Sequence, residues 1–347
     1  MLVLPLLLSF VKIGLVLNLN LAHEADDTLI ARVAWLYYIG GLTQEETATR
    51  LGLHRTRVTR LLSEARDRGI ISITIDHETT RNIEVEHVIA RHFRLDFCLT
   101  TPPIGFDEGE RNTETRRIQG LIARRAVGTA AASFLKGRLS EGPLTVGVSW
   151  GRTIEQVALA LSGVRNPEAC FVSLMGSLTR NSASNPFEVV QAFASRTGGE
   201  AHFLPVPFIA DSETDHQVFL SQRIVVDTLK LARQADLYLI SVGELEEGSV
   251  LRQQRMLSAE ELHDVRAQGA VCDTLGRLFD QYGHEVSHPV WKRTVALDIE
   301  ALRGRNVVLL GAGTEKTTAI VALLRTGFVK GLIIDGDTAL EIAHMAA

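Results

Sequence analysis

Residues 42–75 read LTQEETATRLGLHRTRVTRLLSEARDRGIISITI, which predicts two short helices joined by a tight turn and followed by a strand. Thr43 and Glu46 have the spacing of a capping box, which starts the first helix. Gly52 ends that helix, because the position calls for a residue that tolerates a positive φ. The apolar residues of the second helix, over residues 55–68, are three and four apart on one face. The alternating run at 70–75 predicts a half-buried strand, so the whole stretch has the pattern of a helix-turn-helix with a wing.

The other face of the second helix is basic. Residues 55–68 hold five arginines against Glu64 and Asp67, a net charge of +3. A helix-turn-helix places the start of its second helix in the major groove, where guanidinium groups bind guanine edges or phosphates. The alternative is a small helical bundle with a solvated arginine face. We predict contact with double-stranded operator DNA through Arg55, Thr56, Arg57, Thr59 and Arg60.

Composition limits the class of protein. The chain has 347 residues, a formal net charge of −5 and a pI near 6.1, which excludes a generally basic DNA-coating protein. Its length favours two domains. The three cysteines are scattered without C-x-x-C spacing, which argues against a disulfide framework or a zinc site and for the cytoplasm. We predict neither a metal ion nor a cofactor.

The first 22 residues form an apolar leader with Lys12 as its only charge. The segment approaches the length of a membrane span, but it has no positively charged start and no clear cleavage site for a signal peptide. Two interpretations stay open: a membrane tether, or a start codon assigned too far upstream. We favour the second, and therefore predict no membrane partner.

Behind the DNA-binding domain, assigned to residues 23–77, a linker helix over 113–139 leads to an alternation of strands and helices. Short apolar runs separated by amphipathic helices predict a doubly wound α/β domain with a parallel sheet, assigned with the linker to residues 78–347. Strands are predicted at Leu144–Val148, Cys170–Leu174, Ala201–Pro205, Leu237–Val242, Ala270–Thr274, Asn306–Leu310 and Gly331–Ile334. Helices are predicted at Ile154–Leu161, Pro186–Thr197, Ser221–Ala235, Ala259–Gln268, Ile299–Arg303, Thr317–Thr326 and Thr338–Ala346.

Glycine-rich loops follow several of these strands, where open parallel sheets bind their ligands. The loops are residues 147–153, 176–177, 243–244, 311–318 and 335–338. Glycines let the backbone approach a ligand, and free N–H groups at helix starts attract anions. With Arg152 and Lys316 beside them, the loops predict a pocket for a small anionic, hydroxyl-rich molecule such as a sugar phosphate. Turn geometry alone is the alternative explanation for the glycines.

Two motifs point toward enzymes. Gly147-Val148-Ser149-Trp150-Gly151 fits the G-x-S-x-G elbow of α/β-hydrolases, but the only suitable downstream histidine, His344, falls in a predicted helix. Residues 311–318 resemble a P-loop, but Glu315 stands where that motif requires glycine before the lysine. We therefore predict neither esterase nor nucleotide triphosphatase chemistry.

Taken together, these motifs resemble the SorC family of bacterial sugar-responsive transcriptional regulators, related to DeoR-type proteins, over residues 28–347. The resemblance is carried by residues 42–44, 61–71, 146–153, 235–243 and 276–280, and most specifically by the closing run from Gly311 to Ala339. It implies an effector domain similar to sugar-phosphate isomerases that acts as a sensor, and a homotetramer. It further implies an effector pocket that includes Gly147, Ser149, Gly151, Arg152, Thr153, Asp273, Lys316 and Asp335.

The sequence thus predicts a regulator of carbohydrate or polyol genes, controlled by a small sugar for which we favour a phosphorylated form. The alternative is an enzyme, a sugar-phosphate isomerase or deaminase that carries a DNA-like bundle. The sequence identifies neither the effector nor the direction of control.

Overall fold

The computed structural model describes residues 27–71, 82–105, 113–177, 185–254 and 256–346. The chain divides into two compact units at residue 73. The apolar leader at 1–22 lies outside the described residues, as does most of the predicted wing strand.

The described part of the N-terminal unit is a three-helix arrangement. Helix α1 covers residues 27–34 and continues into a π-helical turn, Trp35–Ile39; α2 covers Gln44–Leu51 and α3 covers Arg55–Asp67. The predicted capping box is present: the Glu46 amide donates to the Thr43 hydroxyl, and the Thr43 amide donates to the Glu46 carboxylate at 2.8 Å. Gly52 adopts the left-handed conformation after α2, with φ 64°. The local signals therefore set both ends of the turn.

Apolar side chains of all three helices form one core in this unit. The predicted face of α3 is buried, together with residues of α1 and α2. The members of this core are Ile30, Val33, Ala34, Ala48, Val58, Leu61, Leu62 and Ala65. Because the apolar face of α3 packs inward, its arginine face is left toward solvent.

A seven-stranded sheet forms the centre of the second unit, and all of its strand pairs are parallel. Its strands are β1 (Phe97–Thr100), β2 (Thr145–Val148), β3 (Cys170–Ser177), β4 (Glu200–Pro207), β5 (Leu237–Ser241), β10 (Val307–Gly311) and β11 (Gly331–Ile334). Their order is β1-β11-β10-β5-β2-β3-β4. The strand order reverses between β2 and β5, the type of position where open α/β sheets bind ligands.

Helices cover both faces of this sheet, as a doubly wound fold requires. Along β3 the side chains alternate between two cores: Phe171 packs with one and Val172 with the other. The first core includes α5 (Thr113–Leu139), α6 (Arg152–Ala160) and α7 (Pro186–Thr197). The second includes α4 (Ile83–Phe93), α9 (Arg223–Arg233), α11 (Ala259–Ala267), α12 (Thr317–Arg325) and α13 (Gly336–Ala346).

The prediction for Ala270–Thr274 was right in its bounds and wrong in its partners. This strand, β7, belongs to a separate antiparallel sheet with β6 (Gly243–Glu244), β8 (Arg277–Asp280) and β9 (Glu285–Val286). Leu275 and Gly276 join β7 to β8, and both have positive φ. A two-residue turn of this kind returns the chain antiparallel, whereas a parallel strand needs a long crossover.

Smaller differences concern local helix signals. The predicted helix Ser221–Ala235 is preceded by a separate helix α8, Glu213–Ser221, which starts at the capping residue Ser212. A four-residue helix α10, Val250–Gln253, was not predicted, and Ile299–Leu302 is a 3-10 turn. Among the described residues no helix combines the length and apolar composition needed to cross a membrane.

Candidate effector site

A cavity opens beside the carboxyl ends of β2 and β5, where the small antiparallel sheet meets the parallel one. It encloses about 550 Å³ outside the protein atoms, part of which is open to solvent. Its polar lining includes Ser149, Arg152, Thr153, Ser241, Glu244, Ser249, Asp273, Thr274 and Lys316. The cavity therefore combines hydroxyl groups with both signs of charge.

Glu244 is the centre of the charged network. One carboxylate oxygen lies 2.8 Å from the Lys316 ammonium, and the other lies 3.3 Å from the Arg152 guanidinium. Lys316 also donates to the Val242 carbonyl at 3.0 Å. Burial raises the pKa of the Glu244 carboxyl, but attraction by Lys316 and Arg152 outweighs it and holds the pKa below its ordinary value. Glu244 is therefore ionised and neutralises one of the two cations.

Asp273 is the second carboxyl group of the cavity. Its residue is 7% exposed, and burial together with the nearby Glu244 raises its pKa to about 7. Gly243 lies opposite it in the β6–β7 pairing, and a Cβ at Gly243 would meet the Asp273 carboxylate. The glycine thus makes room for a buried acid that is close to half-protonated at neutral pH.

The raised pKa of Asp273 predicts a pH-dependent effect of Asp273→Asn. In the folded protein the pKa of the Asp273 carboxyl is about 7, above its ordinary value of 3.8. The contribution of this group to the free energy of unfolding therefore falls as pH rises from about 4 through 7. Asparagine keeps the shape without the charge. We expect the variant to gain several degrees in melting temperature over wild type at pH 8, and the gain to vanish near pH 4. Thermal unfolding across this pH range measures it, and an equal difference at both ends would contradict the assignment.

A second layer of charge lies behind the cavity. The Arg124 guanidinium, from α5, lies 3.9 Å from the Glu315 carboxylate. Burial and the neighbouring Arg152 lower the pKa of Arg124. The cations around the cavity therefore crowd one another, and carboxylates compensate them.

The start of α6 borders the cavity. Gly151 precedes the helix with φ 139°, and no side chain caps the first turn among the described residues. A Cβ at Gly151 would lie 2.7 Å from the Ser241 hydroxyl. Ser149 is 3% exposed, and its hydroxyl accepts from the Ser241 amide at 3.1 Å. The loop 149–153 is thus fixed against β5.

Most of the predicted effector residues are brought together. Ser149, Gly151, Arg152, Thr153, Asp273 and Lys316 all line the cavity. Gly147 and Asp335 do not line it, and their part in effector binding stays a prediction. Gly147 lies within β2, where a Cβ would meet the side chains of Leu174 and Tyr238. Asp335 is 2% exposed and accepts from the Gly313 amide at 2.7 Å and from the Thr338 amide and hydroxyl.

The sequence motifs did not identify Glu244 as a cavity residue. Its position directly after a buried strand marked it as part of a loop, but nothing in its neighbourhood showed that it pairs with two cations. Those partners are 92 and 72 residues away along the chain, counted as 244 − 152 and 316 − 244. Ser249 and Thr274, from the segments around the small sheet, were also missed.

The predicted DNA-binding residues lie at the start of α3. Arg55, Thr56, Thr59 and Arg60 are exposed, and Arg57 is half-buried. The Thr59 hydroxyl donates to the Gln44 side chain at 3.0 Å, which links α3 to α2. The first turn of α3 holds no acidic residue and no side-chain cap. The helix start thus combines exposed basic side chains with unbonded N–H groups, which favours anions.

Comparison with known proteins identifies the family of this chain. Residues 77–343 match the family described as "Putative sugar-binding domain". Over 91% of this chain and 96% of the relative, the chain is 33% identical to the erythritol catabolism regulatory protein EryD of Brucella abortus. It belongs to the SorC family of transcriptional regulators. The SorC-family chain is also 28% identical to the transcriptional regulator LsrR of Escherichia coli, over 91% of this chain and 95% of LsrR.

Solved structures agree on the fold of this SorC-family protein. The full-length sorbitol operon regulator SorC from Klebsiella pneumoniae superposes with a TM-score of 0.65 at 22% identity, covering 92% of this chain and 99% of that one. A DeoR family transcriptional regulator from Listeria monocytogenes gives 0.66 at 19% identity, covering 75% and 98%. These findings confirm the predicted family and fold class. The chain is a transcriptional regulator and not an enzyme.

Proposed function

We propose that the described cavity binds a small sugar or polyol and that its occupancy changes the affinity of the N-terminal unit for operator DNA. The observation that carries this proposal is the convergence of Lys316, Arg152, Glu244 and Asp273 on one cavity. Charged groups that meet among serine and threonine hydroxyls suit a ligand with many hydroxyl groups. The name of the relative EryD, a regulator of erythritol catabolism, supports a polyol within this class.

The DNA side of the proposal rests on α3. Its exposed basic start would enter the major groove, with Arg55 and Arg60 contacting bases or phosphates and Thr56 beside them. Arg57 and Thr59 have a smaller part in this proposal than in the sequence interpretation. Arg57 is half-buried, and the Thr59 hydroxyl already bonds Gln44.

We further propose that the protein acts in the cytoplasm as a homotetramer, as the family resemblance implies. Exposed apolar side chains in the second unit support self-association: Val218 on α8 is 50% exposed, and Ile224 and Val226 on α9 are 62% and 47% exposed. Exposed apolar groups on neighbouring helices favour a protein interface. Symmetric assembly would also suit operators with two half-sites.

Binding of the protein to its own promoter region tests the proposal. A labelled promoter fragment is titrated with the full-length protein, alone and with each member of a panel of polyols, sugars and their phosphates. We expect binding without ligand and a change of roughly 5- to 150-fold with at least one compound, the usual range of allosteric coupling. The same compound should raise the melting temperature of the protein. Failure to bind the promoter under every condition would refute the proposal.

A further inference from the structure

We infer that Glu244 makes this cavity select an uncharged polyol or sugar over the phosphate ester of the same molecule. The inference rests on the proposed function and narrows the class of effector. It assigns a specificity-determining role to a residue that the sequence motifs did not include.

In the described part of the cavity, Glu244 offsets one of the two positive charges and Asp273 offsets part of the other. Arg152 and Lys316 contribute two positive charges, and Glu244 and Asp273 are the two acids among the lining residues. Glu244 contacts both cations, one through each carboxylate oxygen, at 3.3 and 2.8 Å. Its side chain is only 15% exposed, so water screens these contacts weakly. The cations are therefore already paired within the protein.

A phosphate monoester carries a charge of about −1.5 to −2 at neutral pH. To reach Lys316 or Arg152 it would have to displace Glu244 or lie beside it. Displacement would leave a carboxylate in a largely buried place without its partners, which is costly. Coexistence would place two like charges within a few ångströms. Both arrangements penalise the ester, and neither penalises a neutral molecule.

The start of α6 also favours an anion. A helix N-terminus is equivalent to roughly half a positive charge, typically 0.3–1 kcal/mol for a neighbouring anion. That contribution is smaller than the effect of one unit carboxylate paired in a weakly screened site. The same N–H groups can also donate to a hydroxyl oxygen, so a neutral ligand retains their benefit.

A polyol finds suitable partners in the same network. Lys316 donates to the Val242 carbonyl and to Glu244, which leaves one of its three N–H groups for a ligand. Asp273 lines the cavity, and no hydrogen bond to its carboxyl oxygens comes from the residues that the structure describes. A carboxyl group with two available oxygens can accept from two adjacent hydroxyls, as the acidic residue of dinucleotide-binding folds does with a ribose hydroxyl. Polyols and sugars both offer adjacent hydroxyls.

The experiment compares short-chain polyols with their monophosphate esters, by calorimetric titration of the full-length protein and of Glu244→Gln. For wild type we expect at least one polyol to bind roughly tenfold or more tightly than its ester. In a separate thermal unfolding measurement, inorganic phosphate should not raise the melting temperature of the wild type. Glutamine keeps the size of the side chain and removes its charge. In the variant we expect the ratio of polyol affinity to ester affinity to shift by roughly tenfold or more toward the ester. We also expect inorganic phosphate to raise the melting temperature of the variant.

Glu246→Gln is the matched control, because Glu246 is a neighbour with a 63% exposed side chain that pairs with the surface residue Arg266. It should keep the wild-type ratio. The inference fails if wild type prefers the ester, or if Glu244→Gln leaves the ratio unchanged. The wild-type ratio decides the ligand class even if the variant does not fold. Absence of binding by every polyol and every ester, with no effect on promoter binding, would instead refute the proposed function itself.

Discussion

Replacing Arg55 and Arg60 together with alanine should weaken operator binding by roughly 2–6 kcal/mol, at least about 30-fold, without unfolding the N-terminal unit. Each guanidinium that contacts a base contributes about 1–3 kcal/mol of binding free energy. Each phosphate contact adds about one to the magnitude of the slope of log affinity against log salt concentration. Both side chains are exposed, whereas the core of this unit is built from the opposite face of α3. The melting temperature should therefore stay unchanged. Fluorescence anisotropy with the promoter fragment at several salt concentrations measures affinity and salt slope together.

Arg66→Ala is the control, since it removes one positive charge from the last turn of the same helix. Arg66 donates to the Tyr38 hydroxyl at 3.0 Å, at the end of α3 that a major-groove helix turns away from the bases. We expect this variant to retain operator affinity within a fewfold. If the double variant binds as tightly as wild type with an unchanged salt slope, the start of α3 does not contact DNA.

Replacing Lys316 with alanine should shift the effector response to much higher ligand concentrations while leaving DNA binding without ligand intact. The variant loses one ligand donor and also leaves Glu244 with Arg152 as its remaining cation at the cavity. Loss of a charged hydrogen bond in a buried site costs about 1.5–3 kcal/mol of binding free energy. The ligand concentration that gives a half-maximal response should therefore rise roughly 10- to 150-fold. The measurement is the ligand dependence of promoter binding, with thermal stabilisation by the same ligand as a second readout.

Lys230→Ala provides the comparison, because Lys230 is an exposed lysine on α9 and does not line the cavity. It should respond like wild type. A normal ligand response in Lys316→Ala would move the effector site elsewhere. Loss of promoter binding in the absence of ligand would show instead that the substitution disturbs the protein as a whole.

The first helices and the cavity differ in how far the sequence could predict them. The capping box of Thr43 and Glu46, the left-handed Gly52 and the bounds of Pro186–Thr197 were all predicted correctly. Each depends on residues within a few positions of one another. Six of the eight residues predicted for the effector site line the cavity, and their role in binding stays a prediction. Asp335 and Gly147 lie in the strand ends and loops beside the cavity. They contact other residues of the same domain and do not line the cavity.

The sequence alone determined most of the helices and strands, and it predicts where a DNA-binding module and the ligand-facing loops lie. These features follow from hydrogen bonds and apolar periodicity over short stretches of chain. Only the tertiary structure decided that β7 lies in a separate antiparallel sheet and that Glu244 pairs with both Lys316 and Arg152. The sequence showed the two cations and therefore favoured a phosphate. Their partner is distant along the chain, and the balance of charge in a cavity depends on distances in space, which composition and spacing do not contain.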